Sequence, residues 1–177
     1  KENLKNISLY YEVNCNLAIK LAEKAKAEGV KQFIYLSSMS VYGMETGEIS
    51  KQTEVMPQSS YGRSKVEAEK GLKKLEDKYF KIVILRPPMV YGKECKGNFQ
   101  LLIKMVQMLH VFPDVQNKRS MIYIDNLSSF VKRCIDDQLR GVYLPQNEDY
   151  MNTTCIAVWI AEAMNKKIWT SKLLGLC

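Results

Sequence analysis

The sequence predicts an α/β protein with a doubly wound parallel sheet, continued into a smaller region of mixed α/β character. Three observations carry this reading. "FIYL", residues 33–36, and "YFKIVILRPP", residues 79–88, are short apolar runs rich in strand formers, as in strands buried on both faces. A polar loop and an amphipathic helical segment lie between them. Strand, loop, helix and strand in that order make a right-handed parallel crossover. Hydrophobic residues at 46% and charged residues at 25% of 177 describe an ordinary soluble globular protein with a core.

Each element has its own signal. "ISLYYEVNCNLAIKLAEKAKAEGV", residues 7–30, reads as a helix whose packing face is Val13, Leu17 and Leu21 with alanines beside them, stopped by Gly29. The first buried strand follows at once and runs into Ser37, Ser38 and Ser40. The polar segment 39–60 is a loop, and a helix is expected from about Tyr61 to Lys78. Pro87 and Pro88 stop the second strand. Beyond a soft boundary in "YGKECKGN", residues 91–98, "NFQLLIKMVQML" reads as a helix and "RSMIYI" as a strand. Asp125 is expected to cap a helix over "NLSSFVKRCIDD", "GVYLP" to form a strand, and Thr153 or Thr154 to cap "CIAVWIAEAM". The division expected is 1–92 and 93–177.

Several function classes are disfavoured. No apolar run approaches the ~20 residues that cross a bilayer, and "KENLKN" is no signal peptide. The net charge of +7 comes from lysines interleaved with glutamates on helix faces, and no nucleic-acid-binding signature is present. Five cysteines without Cys-x-x-Cys spacing suggest neither a zinc site nor a disulfide framework, and fit reduced thiols in a cytoplasmic protein. His110 is the single histidine and ends an apolar helix, which favours a structural or surface role over a catalytic one. No metal site is predicted.

"SSYGRSKVEAEK", residues 59–70, carries the chemistry. With 10 tyrosines, about one Tyr-x-x-x-Lys is expected by chance, so position must decide its meaning. Tyr61, Lys65, Ala68, Leu72, Leu75 and Tyr79 form one helical stripe, which should face the sheet. A lysine there is anomalous, because burying an ammonium is costly unless something compensates; snorkelling from the helix end is the alternative. Ser38 lies at the carboxyl edge of a parallel sheet, where ligands bind, and the loop must return Tyr61 over that edge. A neighbouring ammonium should stabilise a phenolate and lower the Tyr61 pKa. A fall of ~3 units corresponds to about 4 kcal/mol. Such a tyrosinate can take an alcohol proton while hydride leaves the same carbon, with Ser38 holding the substrate oxygen.

Taken in order, "FIYLSSMSVYG", "YGRSK", "LRPPMVYG" and "RSMIYIDNL" resemble the extended short-chain dehydrogenase/reductase family, the NAD-dependent epimerase/dehydratase group acting on nucleotide sugars. The resemblance runs from about Val13 to Ala163. It implies the C-terminal portion of a Rossmann-like domain plus part of a substrate-binding region. It implies that Ser38, Tyr61 and Lys65 are catalytic. Ser37, Tyr61, Lys65, Arg86 and Pro87 would meet NAD, or NADP, and Ser38, Asn98 and Arg119 would meet the sugar nucleotide. An arginine such as Arg119 suits a diphosphate through its bidentate guanidinium. For Arg86 a surface role, and for Asn98 a capping role, stay open. Asn14 resembles a structural helix asparagine.

Ser38 is followed by Met39 and Ser40, with no carboxylate before Glu45, which argues against elimination chemistry. A 4-epimerase using NAD on a UDP-linked sugar is therefore favoured, with an NAD(P)-dependent 4-keto-sugar reductase or dehydratase of the same family as the alternative. Cell-surface polysaccharide precursor synthesis follows from family habit. A homodimer through helices 8–28 and 61–78 is implied by the resemblance alone. The chain opens with Lys1 and holds no glycine-rich phosphate loop, so it is expected to be part of a longer polypeptide. An inactive fragment or a sugar-nucleotide binding module is the competing reading.

Overall fold

The computed structural model describes residues 4–95 and 97–175. A helix runs from α1 (Leu4–Tyr10) through a π-helical stretch (Tyr11–Leu17) into α2 (Ala18–Ala27). It is followed by β1 (Gln32–Leu36), a 3-10 turn (Met39–Tyr42), α3 (Ser60–Leu75) and β2 (Lys81–Leu85). Then come β3 (Met89–Tyr91), α4 (Asn98–Met108), β4 (Val111–Pro113) and β5 (Met121–Tyr123). The described chain closes with α5 (Ile124–Asp136), β6 (Gly141–Tyr143), α6 (Thr153–Ala163), β7 (Trp169–Ser171) and a short 3-10 turn. None of its helices is long and apolar enough to cross a membrane.

The chain forms two compact units. The first holds the residues up to Pro87 together with Ser128–Pro145, and the second holds Pro88–Leu127 and the residues from Gln146 onward. Where the sequence suggested one boundary near residue 92, the structure returns 128–145 to the first unit. The cause is strand pairing: β6 adds to β2 in a parallel sheet of order β1-β2-β6.

In the first unit β1 and β2 pair in parallel, Gln32 opposite Lys81 and Leu36 opposite Leu85, with α3 as the crossover. Ile82–Leu85 of β2, the central strand, are all buried. The edge strand β1 differs from expectation: Tyr35 is buried but Leu36 is exposed. The first helix also turns differently from the sequence reading. Val13, Leu17 and Leu21 are exposed at 48%, 47% and 53%, while Cys15, Ala18 and Ala22 join the core. Close helix packing explains the reversal. A Cβ at Gly71 of α3 would lie 2.3 Å from Cδ1 of Ile19, so the small side chains mark the contact and the large ones are left outside. Gly29 stops α2 with φ 76°, a left-handed conformation that glycine adopts without strain. Helix α3 ends at Leu75, short of Lys78. Tyr79 consequently leaves the predicted stripe and is 72% exposed.

The second unit contains two parallel strand pairs, β3 with β5 and β4 with β7. Helices α4 and α6 pack around Val106, Phe112, Ala157 and Ala161. Asn152, and neither Thr153 nor Thr154, caps α6 by accepting a hydrogen bond from the Cys155 amide at 3.1 Å. Thr154 instead donates to the Pro113 carbonyl at 3.0 Å. Asp125 lies inside the first turn of α5 and is not its cap. An apolar cavity of about 360 Å³ opens in this unit beside Tyr91, Phe99, Met121 and Trp159.

Candidate active site

Where β1 ends, the backbone stays tied to β2. The Ser37 amide donates to the Leu85 carbonyl at 2.7 Å and the Met39 amide to the Pro87 carbonyl at 3.1 Å. Between these two anchors Ser38 is extended, and its hydroxyl caps the 3-10 turn by accepting from the Ser40 amide at 3.1 Å. Gly43 closes the turn in the left-handed region at φ 65°.

Helix α3 starts against this turn. Ser59 is its cap, accepting from the Gly62 amide at 3.0 Å. Gly62 permits the approach, since a Cβ there would sit 2.6 Å from the Ser40 carbonyl oxygen. The sequence reading did not single out Gly62, although a glycine directly after the tyrosine is a visible sign of close backbone contact.

The approach brings the Tyr61 phenol near enough to the Ser38 hydroxyl for the serine to favour its ionised form. One turn on, Lys65 is 8% exposed and donates from Nζ to the Leu36 carbonyl at 2.8 Å. Its ammonium lies 4.7 Å from the Tyr35 ring centre and 5.7 Å from that of Tyr61. Ser38, Tyr61 and Lys65 thus converge at the carboxyl end of β1.

Their electrostatics depart from the sequence expectation in one respect. Burial pushes the Tyr61 phenol above its ordinary pKa, Tyr10 adds to the rise, and the Ser38 hydroxyl opposes it. The expected lowering by Lys65 is not seen, because the ammonium points to the Leu36 carbonyl and passes the ring of Tyr61. Burial lowers the Lys65 pKa to about 8, against the opposing charge of Glu69.

Ser37 and Arg86 turn away from the sheet edge into a buried network. The Ser37 hydroxyl donates to Glu69 Oε1 at 2.6 Å. Arg86 grips the same carboxylate through Nε at 3.0 Å and Nη2 at 2.5 Å, and donates from Nη1 to the Tyr42 hydroxyl at 2.8 Å. Arg86 is therefore a buried residue, which settles the surface alternative left open by its sequence position. Glu69 went unremarked in the sequence, yet it stands next to Ala68 of the inward stripe, as anomalous as Lys65. Asn14 donates to the Ser64 hydroxyl at 3.2 Å, and Ser64 donates to the Tyr61 carbonyl at 2.8 Å.

Arg119 and Asn98 belong to the second unit. Arg119 is exposed, and its backbone pairs with Met151 in an isolated antiparallel bridge. Asn98 begins α4, and its side chain lies outside the described residues. No group of His, Cys, Asp or Glu among the described residues could hold a metal ion.

The chain is similar to several known proteins. Residues 1–144 match the model of the NAD dependent epimerase/dehydratase family. The chain is 36% identical over 172 residues to a UDP-glucose 4-epimerase of Vibrio cholerae, covering 92% of this chain and 52% of that protein. It is 27% identical over 175 residues to an N-acetyl-alpha-D-glucosaminyl-diphospho-ditrans,octacis-undecaprenol 4-epimerase of Escherichia coli O157:H7, covering 95% and 53%. The chain spans about half the length of these curated relatives. Among solved structures, the fold is similar to that of UDP-glucuronic acid 4-epimerase from Bacillus cereus in complex with NAD. The TM-score is 0.82 at 23% identity, covering 97% of this chain and 60% of that one. A dTDP-4-dehydrorhamnose reductase of Clostridium acetobutylicum is also similar in fold, with a TM-score of 0.79 at 22% identity, covering 94% and 59%. A family match over most of its residues, together with the 36% identical relative, means that this chain belongs to the NAD dependent epimerase/dehydratase family.

Proposed function

We propose that this chain carries the catalytic residues of a nucleotide-sugar 4-epimerase, an isomerase acting on a UDP-linked sugar. The observation that supports it best is the meeting of two hydroxyls, Ser38 and Tyr61, with the buried ammonium of Lys65 at the edge of a parallel sheet. The Vibrio cholerae relative, a UDP-glucose 4-epimerase by name, supports the choice of reaction.

The donor set fits NAD, with NADP as the variant of the same chemistry. Lys65 spends one of its three N–H groups on Leu36, leaving donors for a ribose diol. The Ser40 hydroxyl is a buried polar atom without a partner among the described residues. Ser37, Arg86 and Pro87 would line the cofactor with backbone, the first two because their side chains are engaged by Glu69. When bound, the cofactor would supply the reversible hydride acceptor for C4 of the sugar.

In this reading Tyr61 takes the proton of the C4 hydroxyl and later gives it back. Ser38 orients that oxygen through its own hydroxyl. Lys65 supplies the positive charge that would favour the tyrosinate before the proton arrives, against the burial that raises the phenol's pKa. The 4-keto sugar would turn over in the site before Tyr61 returns the proton. Arg119 would hold the diphosphate and Asn98 the sugar nucleotide.

We further read the protein as a cytoplasmic homodimer serving cell-surface polysaccharide synthesis. The exposed ridge of Leu9, Val13, Leu17 and Leu21 on the first helix supports the dimer. The test is incubation of the full-length protein with UDP-sugars and NAD, followed by NMR. C4 inversion is expected in the wild type, with a loss of several orders of magnitude in Tyr61→Phe. Net reduction of NAD with a 4-keto sugar formed and no inversion would instead identify one net hydride transfer, a reductase run in reverse.

A further inference from the structure

Glu69 lies on α3 one turn beyond Lys65 and is 3% exposed. Its carboxylate ties α3 to two other segments. It accepts from Ser37, at the end of β1, and twice from Arg86, just past β2. Arg86 in turn holds the Tyr42 hydroxyl at 2.8 Å, and its guanidinium lies 5.0 Å from the centre of the Tyr42 ring. The Arg86 amide donates to the Tyr143 carbonyl of β6 at 2.9 Å, which anchors the network in the sheet.

Ser37 and Tyr42 bracket Ser38 and its 3-10 turn. A buried ion pair adds little stability over apolar residues of the same volume, so stability alone does not account for this one. Its geometry accounts for it better, since the pair clamps both flanks of the serine. Resting on the reading in which Ser38, Tyr61 and Lys65 perform the chemistry, we propose that Glu69 is a positioning residue for that group. It fixes Ser38 from one side through Ser37 and from the other through Arg86 and Tyr42.

The same carboxylate bears on Lys65. Its charge opposes the burial that drives that ammonium toward deprotonation. The other titratable groups facing Lys65 are Tyr35 of β1 and Tyr61 of its own helix. Those facing Glu69 are Arg86 beyond β2, with Tyr42 of the turn behind it, and Tyr35 of β1.

The experiment uses the full-length protein and two variants, Glu69→Gln and the double substitution Glu69→Met with Arg86→Met. Lysine 13C NMR, with the Lys65 signal assigned by its loss in Lys65→Met, follows the Lys65 titration without any substrate. Steady-state kinetics supply kcat and KM. For Glu69→Gln the Lys65 midpoint should move to lower pH, and kcat should fall roughly tenfold to a hundredfold with KM nearly unchanged. Should Glu69→Gln fail to fold, the double variant decides, because it removes the pair without stranding a charge. A folded double variant with depressed kcat supports the proposal, and one with wild-type kcat overturns it. An unmoved Lys65 midpoint with wild-type kcat in Glu69→Gln overturns it as well. The NMR titration is independent of the reaction assigned, so a wild type that lacks epimerase activity contradicts the proposed function while leaving this readout intact.

Discussion

The Lys65 ammonium donates to the carbonyl oxygen of Leu36, the last residue of β1, at 2.8 Å. A side chain that would otherwise reach solvent is thereby stitched to the end of a strand and held beneath the tyrosine one turn earlier. The arrangement carries a penalty, since a charged group sits where water is excluded.

That penalty is measurable. The Lys65 pKa falls from 10.5 to about 8, so at neutral pH burial of the charge costs on the order of 3 kcal/mol. Below pH 8 both folded and unfolded chains hold the proton and the penalty is complete. Between 8 and 10.5 the folded chain releases it first, and folded stability rises relative to a chain without this group. Lys65→Met should therefore be more stable than wild type by about 1–3 kcal/mol at pH 7, the lost Leu36 bond offsetting part of the gain. The difference should shrink as pH rises through that window. Urea unfolding of both proteins at pH 7 and 9.5 checks this, and a pH-independent difference would refute it. In the full-length protein the same substitution should lower the proposed turnover on the order of a hundredfold.

Gly62→Ala should destabilise the protein by about 1–3 kcal/mol and reduce kcat, because its Cβ would meet the Ser40 carbonyl at 2.6 Å and push the turn away from α3. Gly71→Ala is the control. Its Cβ would meet side-chain atoms of Ile19, Cδ1 at 2.3 Å and Cγ1 at 2.9 Å, and no backbone of the turn, so stability should fall while kcat changes little. Thermal melts and kinetics on the pair test the contrast. Equal effects on kcat would show that the approach at Gly62 is not what sets the site.

If the proposed dimer packs through the first helix, Leu17→Glu with Leu21→Glu should shift the full-length protein from dimer to monomer in sedimentation, with little change in its far-UV spectrum. Both side chains are about half exposed, so charges there meet no core. A dimer that survives both substitutions places the interface elsewhere.

Lys166→Met should destabilise the second unit by about 1–2 kcal/mol. The ammonium donates to the Val106, Gln107 and Leu109 carbonyls at 2.6, 2.6 and 2.7 Å, closing the end of α4 as a cation at a helix C-terminus does. Hydrogen exchange along 98–109 should quicken in the variant, and unchanged protection would contradict the capping role.

The sequence by itself determined the parallel crossover, because two apolar runs separated by a loop and an amphipathic helix have few other ways to bury their surface. It also exposed Lys65, since a charge on an apolar stripe is visible as a break in a periodic pattern. Tertiary structure alone decided which side of the first helix is core. Val13, Leu17 and Leu21 recur at the spacing of a packing face, but Gly71 lets α3 approach the alanine side instead. It also decided that Arg86 meets Glu69, and that β6 returns to complete the sheet of the first unit. Periodicity records what one element presents to its surroundings. The partner that element meets, 17 residues away for Arg86 and Glu69 or 58 for Val83 and Gly141, depends on distances that exist only once the chain has closed on itself.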